Sequence, residues 1–193
     1  TMLVVPARPV AGETFRLVIA GRHSILQNTV LIEGPSGNIK AKMSRIGNEM
    51  PFWRVEIFGG LPEGAYKALL LDGETTQLSL DFRIGKQAAI LPKSGFWKTL
   101  RGWDSPTETL YAAWINALFS GSDEQTSWTS LHEVTQNKER NFLFNALSLA
   151  EDDSSSKTKV IMEPDCADNP YFLRAYFAWK LGLPFGYHIS DRG

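Results

Sequence analysis

Short apolar runs alternate with turn-forming clusters from Met2 to about Gly85. The runs are rich in β-branched and aromatic residues, and the clusters between them contain glycine, as in GPSGN and DGETT. Turn signals that recur about every 8–12 residues are typical of a β-sandwich. The pattern therefore predicts an all-β first domain whose strands include TFRLVIAG, TVLIEG, NIKAKMS, FWRVEIF, AYKALLL and QLSLDFRI.

One loop of this region carries a tyrosine signature. Residues 61–66 read LPEGAY, and a tyrosine at the start of a strand can hydrogen-bond back to the loop before it, an arrangement called a tyrosine corner. Together with the strand spacing, this predicts an immunoglobulin-like sandwich over residues 1–86, without a disulfide. We expect Trp53 and Phe52 to pack in the core or against a neighbouring domain. The sandwich is expected to carry no chemistry, and a protein partner is a candidate ligand for its surface.

Residues 87–104 form the predicted connection to the second half of the chain. Trp97 and Trp103 lie in this segment together with proline and glycine. Large aromatic side chains usually bury at contacts, so the connection is expected to be held against a domain. A surface on which the two indoles stack against a carbohydrate is the alternative.

Helical periodicity begins at Ser105. The tetrad SPTE at 105–108 is predicted to be a capping box with proline at the first helical position, and apolar residues then recur at helical spacing to about Gly121. A second helical region is predicted over about 130–149. The run EDDSSSKTK at 151–159 is poor in apolar residues, so it is expected to be exposed or mobile.

The single cysteine, Cys166, lies just before a third helical pattern. Apolar residues recur at offsets of three and four from Phe172 to Leu183, and Gly182 and Pro184 mark the end of this helix. A thiol ahead of a helix meets unpaired backbone N–H groups and the positive end of the helix dipole. This environment favours the thiolate, which is the reactive form.

Two registers are open at the start of this helix. In the first, Asp168 or Asn169 caps the helix, Pro170 is its first residue and Cys166 lies on the turn that leads in. In the second, Cys166 itself opens the helix, which gives the thiol more N–H donors but places Pro170 near the end of the first turn. The residue types favour the first register.

Cysteine catalysis also needs a base or ion-pair partner and an oxyanion site. His188 follows the helix, where the chain is expected to return as a strand, so it is the first candidate for the base, and His132 is the second. The opposing interpretation of Cys166 is a buried structural thiol, the common fate of a lone cysteine.

Two carboxylates flank the thiol, at Asp165 and Asp168. Ionised carboxylates so close to a thiol oppose its ionisation, so they are not expected to form an acid–base pair with it. One is predicted to cap the helix and the other to pair with Arg174 or Lys180.

Composition excludes several classes of function. The formal net charge of −1 gives no electrostatic reason to bind nucleic acid, and no apolar run approaches the roughly 20 residues of a membrane span. One cysteine excludes an internal disulfide framework, and His23, His132 and His188 lack the spacing of metal ligands, so no metal and no cofactor are predicted. The opening TMLVVPARPV has no signal-peptide features, as is also true of a mature exported protein.

The stretch around Cys166 resembles the cysteine-bearing helix start of papain-like cysteine hydrolases. The resemblance is carried by PDCAD at 164–168, by the helix that follows and by GLP at 182–184, and it is nearest to NlpC-type cell-wall peptidases and transglutaminase-like proteins. It covers residues 164–187 of the 193. The resemblance implies that Cys166 is a nucleophile.

The chain departs from that family in two respects. The family's base is a histidine on a strand well beyond the helix, and Gly193 comes too soon for the usual small sheet. Ala167 and Asp168 also stand where the family has a small residue and a glycine. Either the chain is a fragment without its base, or the site is rearranged, or the enzyme is inactive.

The sequence thus predicts an α+β protein, with an immunoglobulin-like sandwich followed by a mostly helical papain-like domain over 105–193, whole or truncated. The expected function is hydrolysis or acyl transfer at an amide of a peptide or peptidoglycan-like substrate, with Cys166 and His188 as the candidate catalytic residues. The resemblance implies a periplasmic or extracellular location. The rival is a non-catalytic envelope adaptor that binds through the sandwich, and a third option is a cytosolic structural protein with an inert thiol.

Overall fold

A computed structural model describes residues 1–87, 97–120 and 127–186. His188 and the strand expected around it lie outside the described residues. Within these ranges the first half of the chain forms eight strands: β1 (Met2–Val5), β2 (Phe15–Gly21), β3 (Thr29–Gly34), β4 (Gly37–Ile39), β5 (Met43–Gly47), β6 (Phe52–Phe58), β7 (Gly64–Asp72) and β8 (Thr75–Ile84).

The strands form two antiparallel sheets of four strands each. One sheet has the order β1-β2-β6-β5 and the other β4-β3-β7-β8. When the strands are lettered in chain order, these are the ABED and C′CFG orders of an immunoglobulin-like sandwich. Strands β2 and β6 pair in continuous register, and the facing sides of the two sheets bury one apolar core that includes Phe15, Leu17, Ile32, Phe58 and Ile84.

The predicted tyrosine corner is confirmed at the start of β7. Tyr66 donates its hydroxyl hydrogen to the carbonyl oxygen of Pro62 at 2.9 Å. The ring lies against Gly34 at the end of β3, where an added Cβ would come within 2.5 Å of the ring. Glycine is therefore required at position 34, because any side chain would displace the tyrosine that closes the loop.

Three helices lie within the described part of the second half: α1 (Ser105–Phe119), α2 (Leu131–Thr135) and α3 (Asn169–Leu181). Helix α1 begins where the sequence predicts, but the predicted capping box is wrong. Asp104 is the N-cap, and its carboxylate accepts the backbone N–H of Thr107 at 2.8 Å. Glu108 is therefore left free to pair with another helix.

The long helix expected over 130–149 is wrong beyond Thr135. Residues 136–152 form successive turns, and Asn145, Ser148 and Ala150 have φ values of 52°, 58° and 54°. A helix cannot continue through left-handed residues. Most of the apolar side chains that suggested a helix are nevertheless buried, although Leu149 is 42% exposed, so the pattern identified a buried segment and not its backbone conformation.

The second half of the chain covers the outer face of the β1-β2-β6-β5 sheet. A second apolar core joins Val18, Trp53 and Val55 of this sheet to Trp114 of α1 and Phe177 of α3, among other buried residues. The protein is therefore built as three layers, in which the same sheet packs on the other sheet with one face and on the helical layer with the other. Trp53 packs between the layers, as predicted.

The fold class predicted from the sequence is wrong. Strand content is 31% and helix content 19% of the described residues, so the protein is mostly β, with three short helices and no mostly helical papain-like domain within the described ranges. Two features caused the error. The apolar positions in residues 136–152 have the spacing of a helix although these residues form turns, and helix α2 ends after five residues, at Thr135.

The described part of the connection, residues 97–104, is held against the helical layer, as expected. Trp97 and Trp103 donate their indole N–H groups to the carbonyl oxygens of Leu183, at 2.7 Å, and Pro184, at 2.8 Å. The Trp103 ring also stacks on Phe177, with ring centroids 5.8 Å apart. Both indoles thus fix the segment after α3 to the connection, which argues against the carbohydrate-stacking alternative.

Candidate functional site

Cys166 lies on the turn that leads into helix α3, and its side chain is exposed. Cys166 lies on the turn before the helix, as in the first of the two predicted registers, but the helix begins at Asn169 and not at Pro170. The exposure excludes the interpretation of Cys166 as a buried structural thiol. The thiol is thus accessible at the N-terminal end of a helix of 13 residues.

The backbone donors around the thiol are mostly engaged by Asp165. Its carboxylate oxygen Oδ1 accepts the N–H groups of Ala167 and Asp168, both at 2.9 Å, and its carbonyl oxygen accepts the N–H of Asn169 at 3.1 Å. Asp168 forms no side-chain capping bond. Asp165 is therefore the side chain that caps this helix, and within the described residues neither Cys166 Sγ nor its own N–H has a hydrogen-bond partner.

One of the two aspartates caps the helix, as predicted, but the predicted ion pair of the other with Arg174 or Lys180 is wrong. Arg174 forms a two-pronged ion pair with Glu108 of helix α1, in which Nη1 lies 2.7 Å from Oε2 and Nη2 lies 2.5 Å from Oε1. Its guanidinium carbon lies 3.3 Å from the centroid of the Trp103 ring. Arg174 thus joins α3 to α1 and to the connection, and Lys180 has other partners.

Neither candidate base is placed beside the thiol within the described residues. The Nδ1 atom of His132 lies 3.1 Å from the carbonyl oxygen of Met162, and Nε2 lies 3.3 Å from the hydroxyl of Ser130. No hydrogen bond joins His132 to Cys166. His188 lies outside the described ranges, so its role stays a prediction.

A buried ionic cluster beneath helix α3 was missed from the sequence. Lys180 Nζ lies 2.5 Å from Asp152 Oδ2 and also contacts Glu151 Oε1, and all three side chains are 0–1% exposed. Glu151 and Asp152 open the run that was expected to be exposed or mobile, an expectation that is wrong at these two positions. The signal was in the helix, because Lys180 shares the apolar stripe of Leu173 and Tyr176 and a buried lysine needs an anionic partner.

Polar side chains extend this cluster toward helix α1. Tyr176 donates its hydroxyl hydrogen to Asp152 Oδ1 at 2.7 Å and accepts a hydrogen bond from Asn141 Nδ2 at 2.8 Å. Asn141 Oδ1 in turn accepts the indole N–H of Trp114 at 2.9 Å. Every member is buried and paired, so the network fixes the turns of residues 136–152 against both long helices.

The pKa values of the two carboxyl groups in the cluster are shifted in opposite directions. Burial raises the pKa of Asp152, and the attraction of Lys180 only partly offsets this effect. Burial acts on Glu151 in the same sense, but the charge of Lys180 and the N–H of Leu147 together hold the pKa of Glu151 below its usual range. Burial and the neighbouring Asp152 charge raise the pKa of Tyr176 well above its usual value. The cluster therefore favours ionisation of Glu151 more than ionisation of Asp152.

A cleft of about 530 Å³ opens between the edge strand β5 and the end of helix α1. Arg45 lines it with its guanidinium 5.7 Å from the centroid of the Trp53 ring, and burial lowers the pKa of this arginine. Ile46 adds an exposed apolar side chain to its lining. Glu49 and Ser120 also line the cleft, but no hydrogen bond pairs them within the described residues, so these features are suited to binding.

Residues 1–87, 97–120 and 127–186 contain no group of His, Cys, Asp and Glu side chains that could hold a metal ion. Over the same ranges no helix has the length and apolar character needed to cross a membrane. No protein-family model and no curated protein sequence matches this chain.

Proposed function

We propose that the protein is a cysteine-dependent hydrolase or acyl transferase with Cys166 as its nucleophile. The Cys166 sulfur attacks the carbonyl carbon of an amide, and the thiol proton passes to a base and from there to the departing amine. The resulting thioester is resolved by water or by a second amine. His188 is the proposed base, and an envelope peptide such as a peptidoglycan peptide is the proposed substrate.

The observation that carries this proposal is the state of Cys166 itself. Its thiol is exposed at the N-terminal end of α3, and its own N–H has no partner among the described residues. A single backbone N–H beside the sulfur is able to donate a hydrogen bond to the developing oxyanion of an acyl intermediate. Asp165 contributes by fixing the turn through Ala167 and Asp168, which leaves that N–H as the available donor.

Alkylation tests the nucleophile directly, because Cys166 is the single cysteine of the chain. The folded protein is treated with iodoacetamide at neutral pH and followed by intact mass, with the urea-unfolded chain as the matched control and Cys166→Ser as the blank. We expect the folded protein to react faster than the unfolded one, and His188→Ala to slow the reaction. A folded thiol that reacts no faster than the unfolded one contradicts the proposal.

Release of amine from peptidoglycan peptides is the second measurement. We expect Cys166→Ser to abolish release and Asp153→Asn, at a carboxylate that hydrogen-bonds Ser155, to leave it unchanged. Activity that survives Cys166→Ser assigns the chemistry to another residue.

The rival function, a non-catalytic binding protein, is favoured by the cleft beside β5. An edge strand with unpaired backbone groups is able to accept an extended peptide by strand addition, and Arg45 offers a positive charge within the cleft. Slow alkylation of Cys166, combined with weaker partner binding by the Arg45→Ala variant, supports this function over the enzymatic one.

A further inference from the structure

The buried cluster of Lys180, Glu151 and Asp152 is not used by the proposed function. It brings one primary amine and two carboxyl groups together inside the helical layer, with each side chain almost completely shielded from water. A structural ion pair needs one acid per lysine, and a second buried acid adds a desolvation cost without a second cation. The arrangement of all three groups therefore points to chemistry among them.

Asp152 is placed as the electrophile. Its Oδ1 accepts the hydroxyl hydrogen of Tyr176 at 2.7 Å, and its Oδ2 accepts the backbone N–H of Asn145 at 2.7 Å. Two donors on one carboxyl group polarise it and are able to stabilise negative charge that develops on its oxygen. Lys180 Nζ lies 2.5 Å from Oδ2, on the same carboxyl group.

Glu151 is placed as the base. Its Oε1 contacts Lys180 Nζ and accepts the N–H of Leu147 at 2.9 Å, while Oε2 accepts the N–H of Leu149 at 3.0 Å. These two backbone donors favour the ionised form of Glu151. The surroundings favour the ionised form more at Glu151 than at Asp152, so Glu151 is the better base and Asp152 the better electrophile.

From this geometry we infer that Lys180 and Asp152 join in an intramolecular isopeptide bond, with Glu151 as the proton-transfer group. The reaction needs no other reactant. Its product is an amide that ties helix α3 to the turns of residues 136–152. This inference is independent of Cys166.

The step balances within the three side chains. Glu151 takes a proton from the Lys180 ammonium, and the neutral amine attacks Cγ of the protonated Asp152 carboxyl group, so that a C–N bond forms. Tyr176 and the N–H of Asn145 stabilise the negative oxygen of the intermediate. Glu151 then gives its proton to the departing hydroxyl, the C–O bond breaks and water leaves. Glu151 finally removes the remaining extra proton from the nitrogen, so it ends protonated beside the amide.

Intact mass of the denatured full chain tests this inference. We expect the measured mass to fall short of the sequence mass by one water molecule. Trypsin should also release a branched peptide that joins residues 141–157 to residues 175–192, since a modified Lys180 is not cleaved. A protein with the full sequence mass, and with Asp152 and Lys180 on separate linear peptides, overturns the inference. Fragmentation that places the branch on Glu151 overturns the assignment of electrophile and base.

Three variants separate the roles, with folding checked by circular dichroism. Lys180→Met and Glu151→Gln are each expected to recover the full mass, the first by removing the amine and the second by removing the base. The matched control Asp153→Asn alters the next acid, whose carboxylate hydrogen-bonds Ser155 instead of Lys180, and is expected to keep the loss of water. Glu151→Gln that still loses water contradicts the role of Glu151. If either variant fails to fold, the mass of the protein without substitutions decides whether the bond forms.

Discussion

The indole N–H of Trp53 in strand β6 donates a hydrogen bond to the side-chain oxygen of Asn116 in helix α1, over 2.8 Å. Trp53 is 4% exposed and packs against Phe142 of the turn segment, with ring centroids 6.5 Å apart. A buried indole N–H needs an acceptor, and here the acceptor belongs to the other layer. This bond therefore sets the position of helix α1 on the sheet.

Asn116→Ala leaves the Trp53 N–H without its acceptor. An unsatisfied buried donor costs about 1–3 kcal/mol, so we expect the free energy of unfolding to fall by that amount. Urea denaturation followed by tryptophan fluorescence measures it. Asn48→Ala is the control, because this exposed side chain makes no hydrogen bond within the described residues and should change stability by less than about 0.5 kcal/mol. Equal effects from both variants contradict the role of the bond between layers.

Tyr66→Phe removes the hydroxyl of the tyrosine corner and keeps the ring. We expect a loss of about 0.5–1.5 kcal/mol, the usual contribution of one intramolecular hydrogen bond. Tyr111→Phe is the matched control, since the Tyr111 hydroxyl has no hydrogen bond within the described ranges and its ring contacts persist. Chemical denaturation compares the stabilities of the two variants. If Tyr66→Phe leaves the free energy of unfolding unchanged, the tyrosine corner does not stabilise the sandwich.

The ion pair of Glu108 with Arg174 makes the free energy of unfolding depend on pH in the acidic range. Its hydrogen bond with Arg174 lowers the pKa of this carboxyl below its usual value. A group with a lowered folded-state pKa stabilises the protein above its unfolded pKa, and this contribution disappears as pH falls through the folded value. Glu108→Gln should therefore destabilise the protein at neutral pH and reduce its loss of stability on acidification. The expected change in the free energy of unfolding is modest, because the Glu108 side chain is 44% exposed.

Denaturation curves collected across the acidic range test this expectation. Glu63→Gln serves as the control, because Glu63 forms only a long surface contact with Lys86 at 3.7 Å. Parallel pH profiles for Glu108→Gln and the unsubstituted protein would show that the pair with Arg174 does not couple α1 to α3.

Asp165 and Asp168 provide a matched pair at the start of α3. Asp165→Ala removes the acceptor of two backbone N–H groups and should cost about 1 kcal/mol, as expected for a lost helix cap. Asp168→Ala removes a carboxylate with no capping bond and should have a smaller effect. We also expect Asp165→Ala to change the rate of Cys166 alkylation, because it frees the donors of Ala167 and Asp168. Identical stabilities for the two variants contradict the assignment of Asp165 as the cap.

Lys180→Met should be among the most destabilising substitutions in the helical layer. It leaves two buried acids without the nitrogen that pairs with them, and removing one partner of a buried polar cluster in this way costs about 3–5 kcal/mol. Lys157→Met, at an exposed position two residues before Lys159, is the control and should be nearly neutral. Thermal and urea denaturation of both variants measure the difference, and a small effect at Lys180 means that the cluster relaxes or admits water.

The strands of the sandwich were largely predictable because their signals are local. Alternating apolar positions and glycine-containing turns mark β2, β3, β6, β7 and β8 closely. The segment NIKAKMS was one predicted run and is two elements, β4 and β5, because the chain crosses from one sheet to the other there. Which sheet a strand joins depends on partners distant in sequence, so the crossing left no local signal.

The helical layer was less predictable for the same reason. Residues 136–152 have helical spacing of apolar positions, yet the N–H groups of Asn145 and Leu147 bind the carboxylates of Asp152 and Glu151 instead of carbonyls within a helix. The sequence placed Cys166 correctly on the turn before α3. It did not reveal that Asp165 takes the neighbouring donors, since a capping bond depends on the backbone geometry of that turn.

The sequence by itself determined where most strands and the two long helices lie, because side-chain period, proline and glycine act on the backbone within a few residues. Tertiary structure alone decided that the sheet carries a helical layer on its outer face, that Trp53 meets Asn116, and that Lys180 is buried against two acids. These outcomes depend on burial and on the pairing of polar groups far apart in the chain. Their physical reason is that a polar group removed from water must find its partner wherever the packed chain provides one.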